Sequence, residues 1–128
     1  MKQLIILLTI LFSLKCYSQN NPDAIIGKWL KIPKEDLIIE VYKTGNEYKG
    51  KITWTKDNDK KKFVGSVILE KLKYNSKNRS WEKGRIHNPD SGKTYKATAK
   101  IKADGTLEVS GYAGLKFFRK KKYFKKVK

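Results

Sequence analysis

Cysteine is nearly missing from this chain: Cys16 is the only one in 128 residues. A disulfide-stapled scaffold is excluded, as is a thiolate metal centre. Histidine is equally scarce. His87 is the single imidazole, which rules out a multi-histidine metal site, and no known motif couples it to a serine or carboxylate as a catalytic base. No cofactor is therefore expected, and the protein is read as a non-enzyme. Acidic residues are also short, 12 against 30 lysines and arginines. Long apolar runs are lacking apart from Leu4 to Leu14, whose 11 residues fall below the roughly 20 needed to cross a bilayer.

That run follows Lys2 and precedes the more polar Lys15-Cys16-Tyr17-Ser18-Gln19, the pattern of an export signal. Lys15 stands where bacterial lipidation wants a small residue, which argues against acylation of Cys16, whereas Cys16 and Ser18 suit ordinary cleavage before Gln19. Residues 1–18 are expected to be a signal peptide and 19–128 one exported, unanchored domain, periplasmic or secreted. Removing Lys2 and Lys15 leaves 28 basic residues against 12 acidic, a formal charge of +16. Such a surface favours acidic partners, namely anionic membrane, acidic polysaccharide or nucleic acid, and export disfavours the last.

Past Ile25 the chain reads as short β-rich runs at even spacing, an all-β signature. Eight strands are expected: 27–32, 37–43, 47–54, 63–74, 80–86, 94–101, 106–112 and 116–127. Tyr95, Ala97, Ala99 and Ile101 alternate with Thr94, Lys96, Thr98 and Lys100, so one face is wet. The fourth run alternates less cleanly, which predicts a bulge. Thr44-Gly45-Asn46 and Ala103-Asp104-Gly105 favour tight hairpins; Asp57 to Lys62 and Asn75 to Arg79 read as longer polar loops, and Asn88-Pro89-Asp90-Ser91-Gly92 as a turn. No connection has room for a crossover helix, so neighbours are antiparallel, and eight such strands hide their edges best by closing into an up-and-down barrel.

Ile26-Gly27-Lys28-Trp29, Tyr48 to Trp54, Gly84 to Tyr95 and Leu107 to Gly114, taken in order, resemble the bacterial domain-of-unknown-function family DUF2147. The Asn88 to Tyr95 stretch carries the most specific part of that resemblance. The family is similar to exported small barrels of the lipocalin or calycin type. The resemblance implies a tryptophan, here Trp29, plugging one barrel end beneath a cation from a late strand, here Lys126 or Lys120. It implies no established chemistry.

Other short patterns are weak. Asp57-Asn58-Asp59 lacks the glycine and glutamate of a calcium loop and is followed by three lysines; Ser91-Gly92-Lys93-Thr94 opens a strand, not the helix of a phosphate loop. His87 reads as an exposed residue beside a turn. The sharpest feature is the closing segment, acid-free after Glu108. Its outer face, carried by Lys116, Arg119, Lys121 and Lys125, is a candidate for contact with anionic membrane or polysaccharide surfaces. Lys120 to Lys122 cannot all point outward in a strand, so at least one faces the lumen or sits in a bulge. Trp29, Trp54, Tyr95, Tyr112 and Phe124 are then expected to wall a lumen with Lys120 as its cation, a site suited to a small apolar or amphipathic anionic ligand. Gly50, Gly84, Ala97, Ala99 and Gly111 are the small inward residues expected to leave it room.

Overall fold

The computed structural model describes residues 21–112 and 119–128, the Arg119 side chain excepted. The alternating runs form β1 (Gly27–Ile32), β2 (Leu37–Thr44), β3 (Glu47–Thr55), β4 (Val67–Asn75), β5 (Ser80–His87), β6 (Thr94–Ile101), β7 (Leu107–Tyr112) and β8 (Arg119–Lys126). Each pairs antiparallel with its sequence neighbours, and β8 closes onto β1, with Trp29 opposite Lys126 and Lys31 opposite Phe124. Closure leaves no open edge. The architecture is the eight-stranded barrel expected from hairpin-length connections.

The fourth strand starts later than its composition suggests. Asp57 accepts the Asp59 N–H (3.0 Å) and starts a 3-10 helix, Asn58–Phe63, so part of the expected polar loop is helical and β4 begins only at Val67. β8 begins at Arg119, and Lys116 lies outside the described residues. The bulge expected in the fourth strand is present: Lys71 takes a positive φ of 62°, which puts both Leu69 and Leu72 inside. A second irregularity, at Lys83 (φ 60°), lies between Trp81 and Gly84.

One barrel end is sealed by a 3-10 helix over Pro22–Ile25. The Trp29 indole donates to the Ile25 carbonyl (2.9 Å), Trp81 to the Pro22 carbonyl (3.0 Å), and the Tyr48 hydroxyl to Asp23 Oδ1 (2.7 Å). Burial and, after it, the Asp23 carboxylate hold that phenol protonated far above its usual range. Lys126 places its ammonium 4.7 Å from the centre of the Trp29 ring and donates to the Ile26 carbonyl, so the cation over the plug is Lys126 rather than Lys120. Above this floor Ile39, Val41, Leu69, Leu72, Val109 and Phe124 fill the interior. The inward glycines leave little space here: a Cβ on Gly84 would lie 2.5 Å from Leu72 Cδ2, and one on Gly50 3.2 Å from Leu69 Cβ. They admit large neighbours instead of leaving a void.

Candidate functional site

Because β1 starts at the sealed floor, the β1–β2, β3–β4 and β5–β6 connections gather at the opposite end, the mouth. Lys60 of the 3-10 helix reaches Asp90 of the β5–β6 turn at 3.6 Å, joining two of these rim segments. The mouth takes its chemistry from β8. Lys122 lies opposite buried Val109, and Lys120 opposite Gly111, whose added Cβ would touch Ile86; both lysines therefore project from the inner face. Lys31, opposite buried Phe124, shares that face. Lys121 faces out and meets Glu108 at 3.7 Å.

Inward lysines that stay open to solvent require an accessible space, and Lys120 and Lys122 are both exposed. Even so, loss of hydration holds the Lys122 ammonium below the usual lysine range, and repulsion from Lys31, Lys120 and Lys60 adds to this; Asp36 opposes it. Asp36 itself sits at the β1–β2 rim with its Oδ1 buried and unpartnered among the described residues. Tyr95 lies opposite Ile86 and is half-buried on the inner wall near the mouth. These inward side chains at the mouth end, called the cup below, are cationic at Lys31, Lys120 and Lys122, aromatic and aliphatic at Tyr95 and Ile86, and underlain by the buried core.

The six residues expected to line the lumen separate into three places. Tyr95 and Lys120 belong to the cup. Trp29 and Phe124, 2 % and 3 % exposed, are structural floor beneath it. Trp54 and Tyr112 are corrections: both project from the outer wall. A one-residue shift between Ile38 and Ile39 pairs Trp54 with outward Ile38 and leaves it 42 % exposed beside Leu30 and Lys28. Tyr112 follows inward Gly111 and borders an outer groove with Ser110, Thr98 and Glu82. Of the outer basic residues, Lys121 is paired to Glu108 and Lys125 to Glu35, and Arg119 holds the first position of β8. Sequence reasoning passed over Lys31 and Asp36, and among Lys120 to Lys122 it chose Lys120 and left Lys122 out. The parity of β8 carried a signal for one of them, since an inward Phe124 places Lys122 inward.

His87 is not a solitary turn residue. Its Nδ1 lies 2.7 Å from Thr94 Oγ1 and its Nε2 3.0 Å from Glu70 Oε1, on the outer wall at the mouth end of β5. No group of three or more histidine, cysteine or acidic residues among the described residues is placed to hold a metal ion.

The family model for an uncharacterized protein conserved in bacteria, DUF2147, matches residues 27–126. The chain belongs to that family. The match to DUF2147 runs from the first barrel strand to the last and leaves out only the floor helix and the termini. A solved structure described as protein HP1028 from the human pathogen Helicobacter pylori, belonging to the lipocalin family, is similar to this chain at a TM-score of 0.66 and 20% identity, over 81% of this chain and 83% of that one. At that identity the likeness establishes a shared lipocalin-like fold. No curated protein matches the chain.

Proposed function

We propose that this DUF2147 barrel is a non-catalytic binding module that takes a small amphipathic anion, its carboxylate or phosphate head among Lys31, Lys120 and Lys122 and its apolar part against Tyr95 and Ile86. The observation that carries this reading is the inward pair Lys120 and Lys122, with Lys122 partly dehydrated among like charges. Such a cluster weakens the fold unless an anion relieves it, and eight-stranded barrels are a size at which one small ligand can be held. The filled floor limits the ligand to a short one.

Calorimetric titration with decanoate and decanol tests the reading. Decanoate is expected to bind, and decanol at least tenfold more weakly, because a charge-assisted hydrogen bond is worth about 1.5–3 kcal/mol. The K120Q/K122Q variant is expected to lose most of the difference. Equal affinities for acid and alcohol, or an unaltered variant, would sink the proposal. We place the mature protein outside the cytoplasm, beginning at Gln19 with no acyl group on Cys16. Intact mass of the purified native protein checks this, and a diacylglycerol adduct would overturn it.

A further inference from the structure

Large exposed apolar side chains are few among the described residues, namely Ile26, Trp54, Val64 and Val67. Three of the four belong to one stretch, residues 54–67, which ends β3, forms the 3-10 helix at the mouth and enters β4. The same stretch carries Lys56, Lys60, Lys61 and Lys62 against two acids. Asp57 is occupied in capping the helix, and Lys60 is paired with Asp90. No residue of that helix is buried, and Lys62 lies 5.2 Å from the centre of the Phe63 ring. Solubility alone accounts for the lysines; it does not account for two valines and a tryptophan exposed in the same stretch.

We infer that this rim segment, through Trp54, Val64 and Val67 with Lys61 and Lys62, docks the barrel on an anionic lipid bilayer. The segment is exposed at Lys61, Lys62, Val64 and Val67, and at its start Trp54 borders a small outer-wall groove with Leu30 and Ile38. The segment suits an interface where apolar side chains enter at headgroup depth and lysines meet anionic headgroups beside them. A soluble polyanion would use the lysines and leave the apolar residues unexplained. The docking stands independently of the cup. If both hold, the mouth lies beside the membrane, and an amphipathic anion has a short path from bilayer to Lys122.

Trp29 and Trp81 are buried, so the exposed indole is Trp54, and its fluorescence reports on this rim. With the full mature protein and vesicles of phosphatidylcholine containing one quarter phosphatidylglycerol, co-sedimentation and quenching by brominated phosphatidylcholine are expected, while pure phosphatidylcholine vesicles bind weakly. K61Q/K62Q is expected to lower partitioning roughly tenfold or more. V64S/V67S is expected to reduce quenching. K120Q/K122Q, which removes cup lysines, is expected to leave vesicle binding intact, separating the two proposals. Absence of binding, adsorption without quenching as a polysaccharide-type polyanion site would give, or loss of docking in K120Q/K122Q alone would overturn the inference.

Discussion

On the proposed reading, Lys122 sets stability against binding within one side chain. An ammonium held below its usual range is less readily protonated in the folded state than in the unfolded one, so the unfolded chain binds more protons and stability rises with pH up to the ordinary lysine range near ~10.5. Lys122→Met is therefore expected to melt higher than the wild type at neutral pH, to flatten that alkaline rise, and to lose anion binding. Gly84 makes the opposite point, because its missing side chain is where Leu72 packs. Gly84→Ala is expected to cost about 1–3 kcal/mol by overpacking, read as a lower thermal midpoint. The Trp29 floor was legible from the resemblance, which left its cation open between Lys126 and Lys120 until the structure placed Lys126 there. The outward turn of Trp54 was not, since the one-residue shift at Ile38/Ile39 leaves no mark in composition.

Two elements titrate in opposite directions. In the β4–β5 hairpin the Glu82 carboxylate accepts from Ser80 Oγ (2.7 Å), Asn78 Nδ2 (3.1 Å) and Asn75 Nδ2 (3.0 Å), and these bonds, that from Ser80 foremost, hold it below the usual carboxylate range. A depressed acid stabilises the fold above its unfolded pKa and loses that contribution as pH falls through the folded one. Glu82→Gln should flatten the acid limb of an unfolding-versus-pH curve. At the floor helix the raised Tyr48 phenol acts the other way: its stabilisation is complete below the ordinary phenol range near ~10 and fades as pH climbs beyond it. Tyr48→Phe should remove that alkaline decline and cost about 1 kcal/mol at neutral pH through the lost bond to Asp23. The strands that pair across tight turns were legible because period-2 alternation and turn chemistry are local. The 3-10 helix at the mouth was hidden in a charged stretch with no apolar period.

For the molecule as a whole, a formal charge of +18 over the full sequence keeps stability and any anion binding sensitive to ionic strength. Raising salt is expected to stabilise the free barrel modestly by screening the mouth lysines while weakening anion affinity, a pairing that melting and titration at two salt concentrations would test. The sequence by itself determined the architecture: eight alternating runs, connections too short for crossovers and a floor tryptophan leave closure as the economical fold. Only the tertiary structure decided the site. Lys31 and Lys122 come from opposite ends of the chain and meet because β8 closes on β1, while Lys60 and Asp36 reach them from separate rim segments. Side-chain parity is a local property of a strand. Which charges share a mouth depends on register around the entire barrel, and short-range sequence patterns carry no record of it.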